Sequence, residues 1–177
     1  MKRDLFPTPV WHIEGTPQEL VDELYQGAYR FKEQYQSTSI SNEGGYQSPM
    51  FDWESFHPVG REYIENKVKI DKGPLIKKDF RVKEWWYNIN GKGHWNLPHT
   101  HPKCDLALVW YLTDSDGLLY LMNPFPQRLL EDGLYMPIPA IKGDIIIFPS
   151  DIIHFVKPNP RDVDRICISM NLQLCGN

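Results

Sequence analysis

The sequence predicts a mainly β, α+β domain, an antiparallel barrel or jelly roll with one or two supporting N-terminal helices. From Phe80 onward, β-branched and aromatic runs are broken at short intervals by Gly, Pro, Asn and Asp, as antiparallel strands and tight turns require. Before Phe80, two segments carry helical spacing instead. With 177 residues, 41% of them hydrophobic, one core is expected: a single domain over 1–177, helical support at about 16–70 and barrel at about 80–173.

In chain order, Leu5 to Ile13 mixes aromatic and β-branched residues with two prolines, which suits an edge strand opening the sheet. Thr16-Pro-Gln-Glu19 reads as a capping box with proline at the first helical position, and Leu20, Leu24, Ala28, Phe31 and Tyr35 follow at helical spacing. Ser37 to Pro49, with Ser39, Ser41, Asn42, Gly44-Gly45 and Ser48, reads as a loop able to cover a pocket. A second helix is expected from about Pro58 to Ile70, with Val59, Tyr63, Ile64 and Val68 on one face. Both helices should pack outside a sheet. Strands are expected near 80–90, 105–113, 117–122, 135–141, 144–148, 153–157 and 164–173. Repeats are absent.

The net charge of -4 and the lack of a Lys/Arg block argue against a nucleic-acid backbone or an anionic membrane as partner. Lys67-Val-Lys69 and Lys77-Lys78 read as solvated faces. Cys104, Cys167 and Cys175 are an odd number, and no signal peptide or long apolar stretch is seen, so the cytoplasm is the expected compartment. Cys104, three residues after His101, could join a zinc site, but without a second cysteine pair a buried thiol is the better account.

The chemistry concentrates in Asn96-Leu-Pro-His-Thr-His-Pro-Lys-Cys-Asp105. In an extended strand residues i and i+2 face the same way, so His99 and His101 can aim both imidazoles at one point. Gly143-Asp-Ile-Ile-Ile-Phe-Pro-Ser150 launches and ends a strand, after which His154 begins the next and can meet the first pair. Arg165, Cys167, Ser169 and Asn171 alternate onto one strand face, and an inward arginine among small polar residues suggests an anion. Each piece alone has a blander reading, a surface histidine pair or an arginine in a salt bridge. His12, His57 and His94 have no partner at ligand spacing and are assigned to packing or the surface.

Taken together, His99-x-His101, Val109-Trp-Tyr-Leu112, Gly143 to Ser150, His154 and Arg165 resemble, in order and spacing, the iron(II) and 2-oxoglutarate-dependent dioxygenase superfamily. Phe6-Pro-Thr-Pro-Val-Trp11, Gly44-Gly-Tyr-Gln-Ser48, Trp95 to Pro102 and Arg165-Ile-x-Ile-Ser-x-Asn171 are similar to a small group of bacterial and phage oxygenases, so the likeness runs from Leu5 to Asn171. It implies a cupin-like double-stranded β-helix, a jelly roll holding Fe(II) on His99, His101 and His154. It also implies that Arg165 binds the distal carboxylate of 2-oxoglutarate, with help from Tyr111 and Ser169. The implied reaction hydroxylates an unnamed substrate with O2 while 2-oxoglutarate is decarboxylated to succinate.

Two departures stand out. His101 occupies the position where most members carry a carboxylate, so either three imidazoles bind the metal, the preferred reading, or Asp105 swings in after a loop distortion. Zinc or nickel could also occupy such a site. Cys167 stands where a serine is common. For Tyr111 a core role is equally open, and Trp85, Trp86, Trp95 and Trp110 could wall the pocket or fill the core. The alternative function is a cupin-like three-histidine metal protein, an isomerase, thiol dioxygenase or sensor that does not use 2-oxoglutarate; it needs no inward Arg165. A third is a structural jelly roll without metal. Exposed strands leave room for a homodimer that no sequence feature demands.

Overall fold

The computed structural model describes residues 8–38, 40–70, 80–114, 119–124, 134–139 and 141–175. The elements begin with β1 (Trp11–Ile13), α1 (Gln18–Gln34), β2 (Asn42–Glu43), β3 (Tyr46–Gln47), β4 (Phe51–Asp52) and α2 (Pro58–Ile70). The strands β5 (Phe80–Asn90), β6 (Trp95–His99), β7 (Leu106–Tyr111) and β8 (Leu119–Met122) follow. The last four are β9 (Tyr135–Ile138), β10 (Ile145–Pro149), β11 (His154–Val156) and β12 (Arg165–Leu174). They form two antiparallel sheets. The larger runs β1-β10-β7-β12-β5-β3, with β4 also on β5, and the smaller runs β2-β6-β11-β8-β9.

The strict period of two along the central strands decides what each sheet face does. On β12, Ile166, Ile168, Met170 and Leu172 are fully buried on one face, together with Leu108 and Trp110 of β7 and Trp85, Tyr87 and Ile89 of β5. That outer face packs against Leu20, Val21, Leu24 and Ala28 of α1 and Ile64 of α2, as the helical spacing implies. The opposite faces of β7 and β10 present Ala107, Val109, Tyr111, Ile146 and Phe148 to Leu119 and Leu121 of the smaller sheet. A second apolar layer therefore lies between the sheets, and the polar alternates of β12 and β5 sit at its open end.

Four expectations need correction. Thr16 is no N-cap: Pro17 occupies that position without a side-chain cap, and the Thr16 hydroxyl donates to Gly143 O and accepts from Trp110 Nε1 at 3.1 Å. The residue that looks like a helix start signal instead ties the chain entering α1 to the turn before β10. Second, the stretch Ser37 to Pro49 contains β2 and β3, which pair with β6 and β5 respectively, so one turn at Gly44-Gly45 joins the two sheets. Third, β6 was not anticipated, because Asn96 and Pro98 give it the composition of a turn. Fourth, the expected strand over 135–141 is only Tyr135–Ile138. Leu5 to Pro7, Ser39, Lys77-Lys78, residues 117–118 and residue 140 lie outside the described residues, as does the side chain of Val68. No helix among the described residues is long and apolar enough to cross a membrane.

The turn joining the sheets is held by buried amides. Asn42 Nδ2 donates to Asn90 Oδ1 at 2.7 Å, and Asn90 Nδ2 donates to Asn96 Oδ1 at 2.7 Å, linking β2, β5 and β6. Gly45 lies against this chain: a Cβ there would come within 2.5 Å of both Ile89 O and Asn42 Oδ1. Since Ile89 O is backbone and cannot swing aside, Gly45→Ala should lower stability by about 1–3 kcal/mol. Urea denaturation checks this, and an unchanged midpoint would mean that the segment is loosely held.

Candidate metal centre

His99 ends β6 and His154 begins β11, and the two are register partners across the ladder. This pairing brings their rings to 4.2 Å between centroids. His101 reaches the same place by a turn rather than along a strand. Its backbone N–H donates to Ser150 O at 2.9 Å, Cys104 Sγ donates to its carbonyl at 3.2 Å, and Lys103 turns the chain with φ 68. The ring then stacks on His99 at 5.4 Å and lies 4.9 Å from His154. One ring nitrogen of each histidine lies within 4.8 Å of the others, and among the described residues no other group of His, Cys, Asp or Glu converges this way.

The hydrogen bonds on the far side of two rings fix which nitrogen is free. His99 Nδ1 faces Leu97 O at 2.6 Å and His154 Nδ1 faces Ile152 O at 2.9 Å. A carbonyl only accepts, so each Nδ1 carries the proton and each Nε2 keeps a lone pair. His101 Nδ1 faces Asn171 Oδ1 at 2.7 Å. Burial holds all three imidazoles below their ordinary range, His101 down to about 4; His99 depresses His101 further, and both depress His154. At neutral pH the site is three uncharged nitrogen donors, a set that suits iron, zinc, nickel or copper.

Asp105 is engaged elsewhere. Its carboxylate accepts from Leu174 N at 2.7 Å and from Gln173 Nε2, at the far end of β12. The thiol of Cys104 also points away, to the His101 carbonyl. The remaining histidines have structural partners: His12 meets Asp144 at 2.8 Å, His57 meets Glu23 at 3.2 Å, and His94 Nδ1 accepts from Gly91 N at 3.1 Å.

Beside the imidazoles, the same cavity is lined by Tyr111, Arg165, Cys167, Ser169, Asn88 and Trp86. Arg165 is 4% exposed, yet among the described residues its guanidinium meets only carbonyls, Lys157 O at 3.1 Å and His94 O at 3.5 Å. No carboxylate among the described residues pairs with it. The Tyr111 hydroxyl and Asn88 Oδ1 are buried without a hydrogen-bond partner among the described residues. Burial pushes the Tyr111 phenol well up, and the Cys167 thiol up to about 11, so both stay protonated. An unpaired buried cation beside an unused hydroxyl donor costs free energy unless an anion completes it. Ser169 Oγ accepts from Asn88 Nδ2 at 3.1 Å, which leaves its own hydrogen free to donate. A larger groove between α1 and α2, lined by Leu20, Val59 and Tyr63, holds no comparable set of groups.

Sequence reasoning missed Asn88 and the partnership of Asn171 with His101, because β5 reads as core and strand alternation does not say which polar group meets which. Of the tryptophans, Trp86 walls the cavity while Trp85 and Trp110 fill the helix-side core.

Residues 84–171 match the family described as "Putative 2OG-Fe(II) oxygenase". The chain belongs to the iron(II)/2-oxoglutarate-dependent oxygenase superfamily. This oxygenase superfamily is an oxidoreductase class with iron(II) as cofactor and 2-oxoglutarate as cosubstrate. Solved oxygenase structures share the jelly-roll fold. A prolyl-4-hydroxylase of Pseudomonas putida has a TM-score of 0.68 at 16% identity, over 96% of this chain and 94% of that one. HygX from Streptomyces hygroscopicus, crystallised with nickel and 2-oxoglutarate, has a TM-score of 0.66 at 13% identity, over 94% of this chain and 83% of its own. The viral collagen prolyl hydroxylase of Paramecium Bursaria Chlorella virus-1 has a TM-score of 0.61 at 14% identity, over 92% of this chain and 94% of its own. No curated protein matches the sequence.

The depressed imidazoles make the metal-free oxygenase acid-sensitive. Between its folded value near 4 and its ordinary value of 6.5, His101 binds a proton in the unfolded chain and none in the folded one. Stability should therefore fall as pH drops from 6.5 towards 4, by roughly 3 kcal/mol from His101 alone. Urea midpoints of the metal-free protein across this range check the slope, which His101→Gln should flatten.

Proposed function

We propose that the protein hydroxylates a C–H bond of its substrate, with His99, His101 and His154 holding iron(II) and Arg165 anchoring the distal carboxylate of 2-oxoglutarate. The observation that carries this reading is Arg165, a buried guanidinium without a carboxylate in the cavity that holds the three imidazoles. A three-histidine metal protein that ignores 2-oxoglutarate has no use for it. The residues present fit both groups: neutral nitrogen donors for a divalent metal, and a forked cation with an unpaired phenol for a carboxylate.

The chain's own share of the mechanism is binding, orientation and exclusion of water. Arg165 offers parallel N–H donors to the distal carboxylate, and the Tyr111 hydroxyl, which stays protonated, supplies another. Ser169, its hydroxyl oriented by Asn88, can donate from the same strand face. Trp86, Val109 and Leu119 complete a mostly apolar wall that keeps bulk water from the centre. When bound, iron(II) and 2-oxoglutarate supply the oxidation: O2 is reduced, 2-oxoglutarate becomes succinate and carbon dioxide, and one oxygen atom enters the substrate C–H bond. The three free cysteines support a reducing compartment, the cytoplasm.

Anaerobic protein loaded with Fe(II) should develop a weak visible absorption on addition of 2-oxoglutarate and release succinate in air. Absence of both the band and succinate would remove this reading in favour of a metal protein of another kind. Arg165→Ala should weaken 2-oxoglutarate binding roughly 10- to 100-fold, the worth of one or two charge-assisted hydrogen bonds, while metal content stays intact. His154→Ala should lose the metal itself, read by elemental analysis of the purified protein.

A further inference from the structure

We propose that Glu84 and Asn171 are positioning residues that fix the tautomer and donor strength of His101, a role that rests on His101 being a metal ligand. Asn171 and Glu84 are register partners on β12 and β5, directly opposite one another in the ladder. Asn171 Nδ2 donates to Glu84 Oε1 at 2.6 Å, and Asn171 Oδ1 lies 2.7 Å from His101 Nδ1. A lone asparagine beside a histidine specifies nothing, because its amide can turn over and offer either end. Glu84 removes that freedom. A carboxylate only accepts, so the amide must give it the NH2 end and show its oxygen to His101. That oxygen in turn requires a proton on His101 Nδ1, which leaves Nε2 with its lone pair for the centre.

His99 and His154 obtain the same result from backbone carbonyls and need no such device. His101 has no carbonyl at Nδ1, because the turn that carries it breaks away from β6. The ring is held from another side by Trp86, at 5.4 Å between centroids and 39° between planes. The relay also conveys charge. A carboxylate behind an amide polarises the Nδ1–H bond and raises the electron density at Nε2. His101 stands where most of the superfamily supplies a charged ligand, and Glu84 returns part of that negative charge from a distance.

The relay makes a chemical prediction that a packing role does not. In Glu84→Gln the side-chain amide at position 84 can donate to Asn171 Oδ1, letting the Asn171 amide turn its NH2 towards His101 and favour the wrong tautomer. Cobalt(II) affinity, measured by competition with a chelator, should fall by about 10- to 100-fold, and the cobalt absorption bands should shift. Combining Glu84→Gln with Asn171→Asp restores the order of donors and acceptors, with amide outside and carboxylate against His101, and should bring the affinity back towards wild type. Urea midpoints of the metal-free variants separate stability from affinity. Equal affinity in wild type and Glu84→Gln, or a double variant that folds as well as wild type yet stays weak, overturns the relay and leaves the site assignment standing. A wild-type protein that binds no cobalt(II) overturns both.

Discussion

Three imidazoles in contact between two sheets can share that space only if none of them takes up a second proton and becomes charged. Burial and mutual repulsion both act in this direction, so a trio of neutral donors is present before any metal arrives. The register of one ladder holds it: because side chains alternate, a slip of a single residue between β6 and β11 would turn His154 out of the cavity. Ser150 guards against that slip. Its backbone accepts from His101 N and donates to Asp105 O, and its hydroxyl donates to Cys104 O at 2.6 Å. The turn carrying His101 and the turn preceding His154 are thus stitched into one unit.

The central strands can hold polar groups at the cavity because their other faces are covered. β12 buries four apolar residues against the helices and shows Arg165, Cys167, Ser169 and Asn171 to the interior. Without α1 and α2 the same strand would expose its hydrocarbon face, and the sheet would lose the burial that supports a charged inner side. The amide chain from Asn42 through Asn90 to Asn96 serves the seam between the sheets: each NH2 group is buried against the oxygen of the next amide, and Asn42 Oδ1 at its head has no partner among the described residues.

Much of this was readable in the sequence, and what was not has identifiable causes. Alternation on β12 is a local property, so Arg165 and its neighbours could be assigned to one face without knowing what lay across from them. The pair His99 and His101 was read correctly as convergent but for a geometric reason that does not apply, since His101 lies in a turn closed by Ser150, nearly fifty residues away. Thr16 shows the same limit: its spacing to Glu19 imitates a cap, while tertiary contacts with Gly143 and Trp110 claim its hydroxyl. Asn88, Asn171 and Glu84 were invisible as a set because hydrogen-bond partnership between strands depends on register, which a single sequence does not disclose.

Charge accounting explains why a histidine can stand in the carboxylate position at all. A divalent metal and a doubly charged 2-oxoglutarate would cancel, and three neutral imidazoles add nothing, which leaves Arg165 as the uncompensated charge of the cavity lining. With the usual carboxylate ligand the same cavity would be close to neutral. A buried positive excess weakens metal binding unless negative charge lies within reach, and its effect is larger in a low-dielectric site than in water. On the proposed assignment Glu84, joined to His101 through Asn171, would supply that charge without entering the coordination sphere. The carboxylate is displaced by the length of one amide rather than lost, and the donor set at the centre can remain three neutral nitrogens.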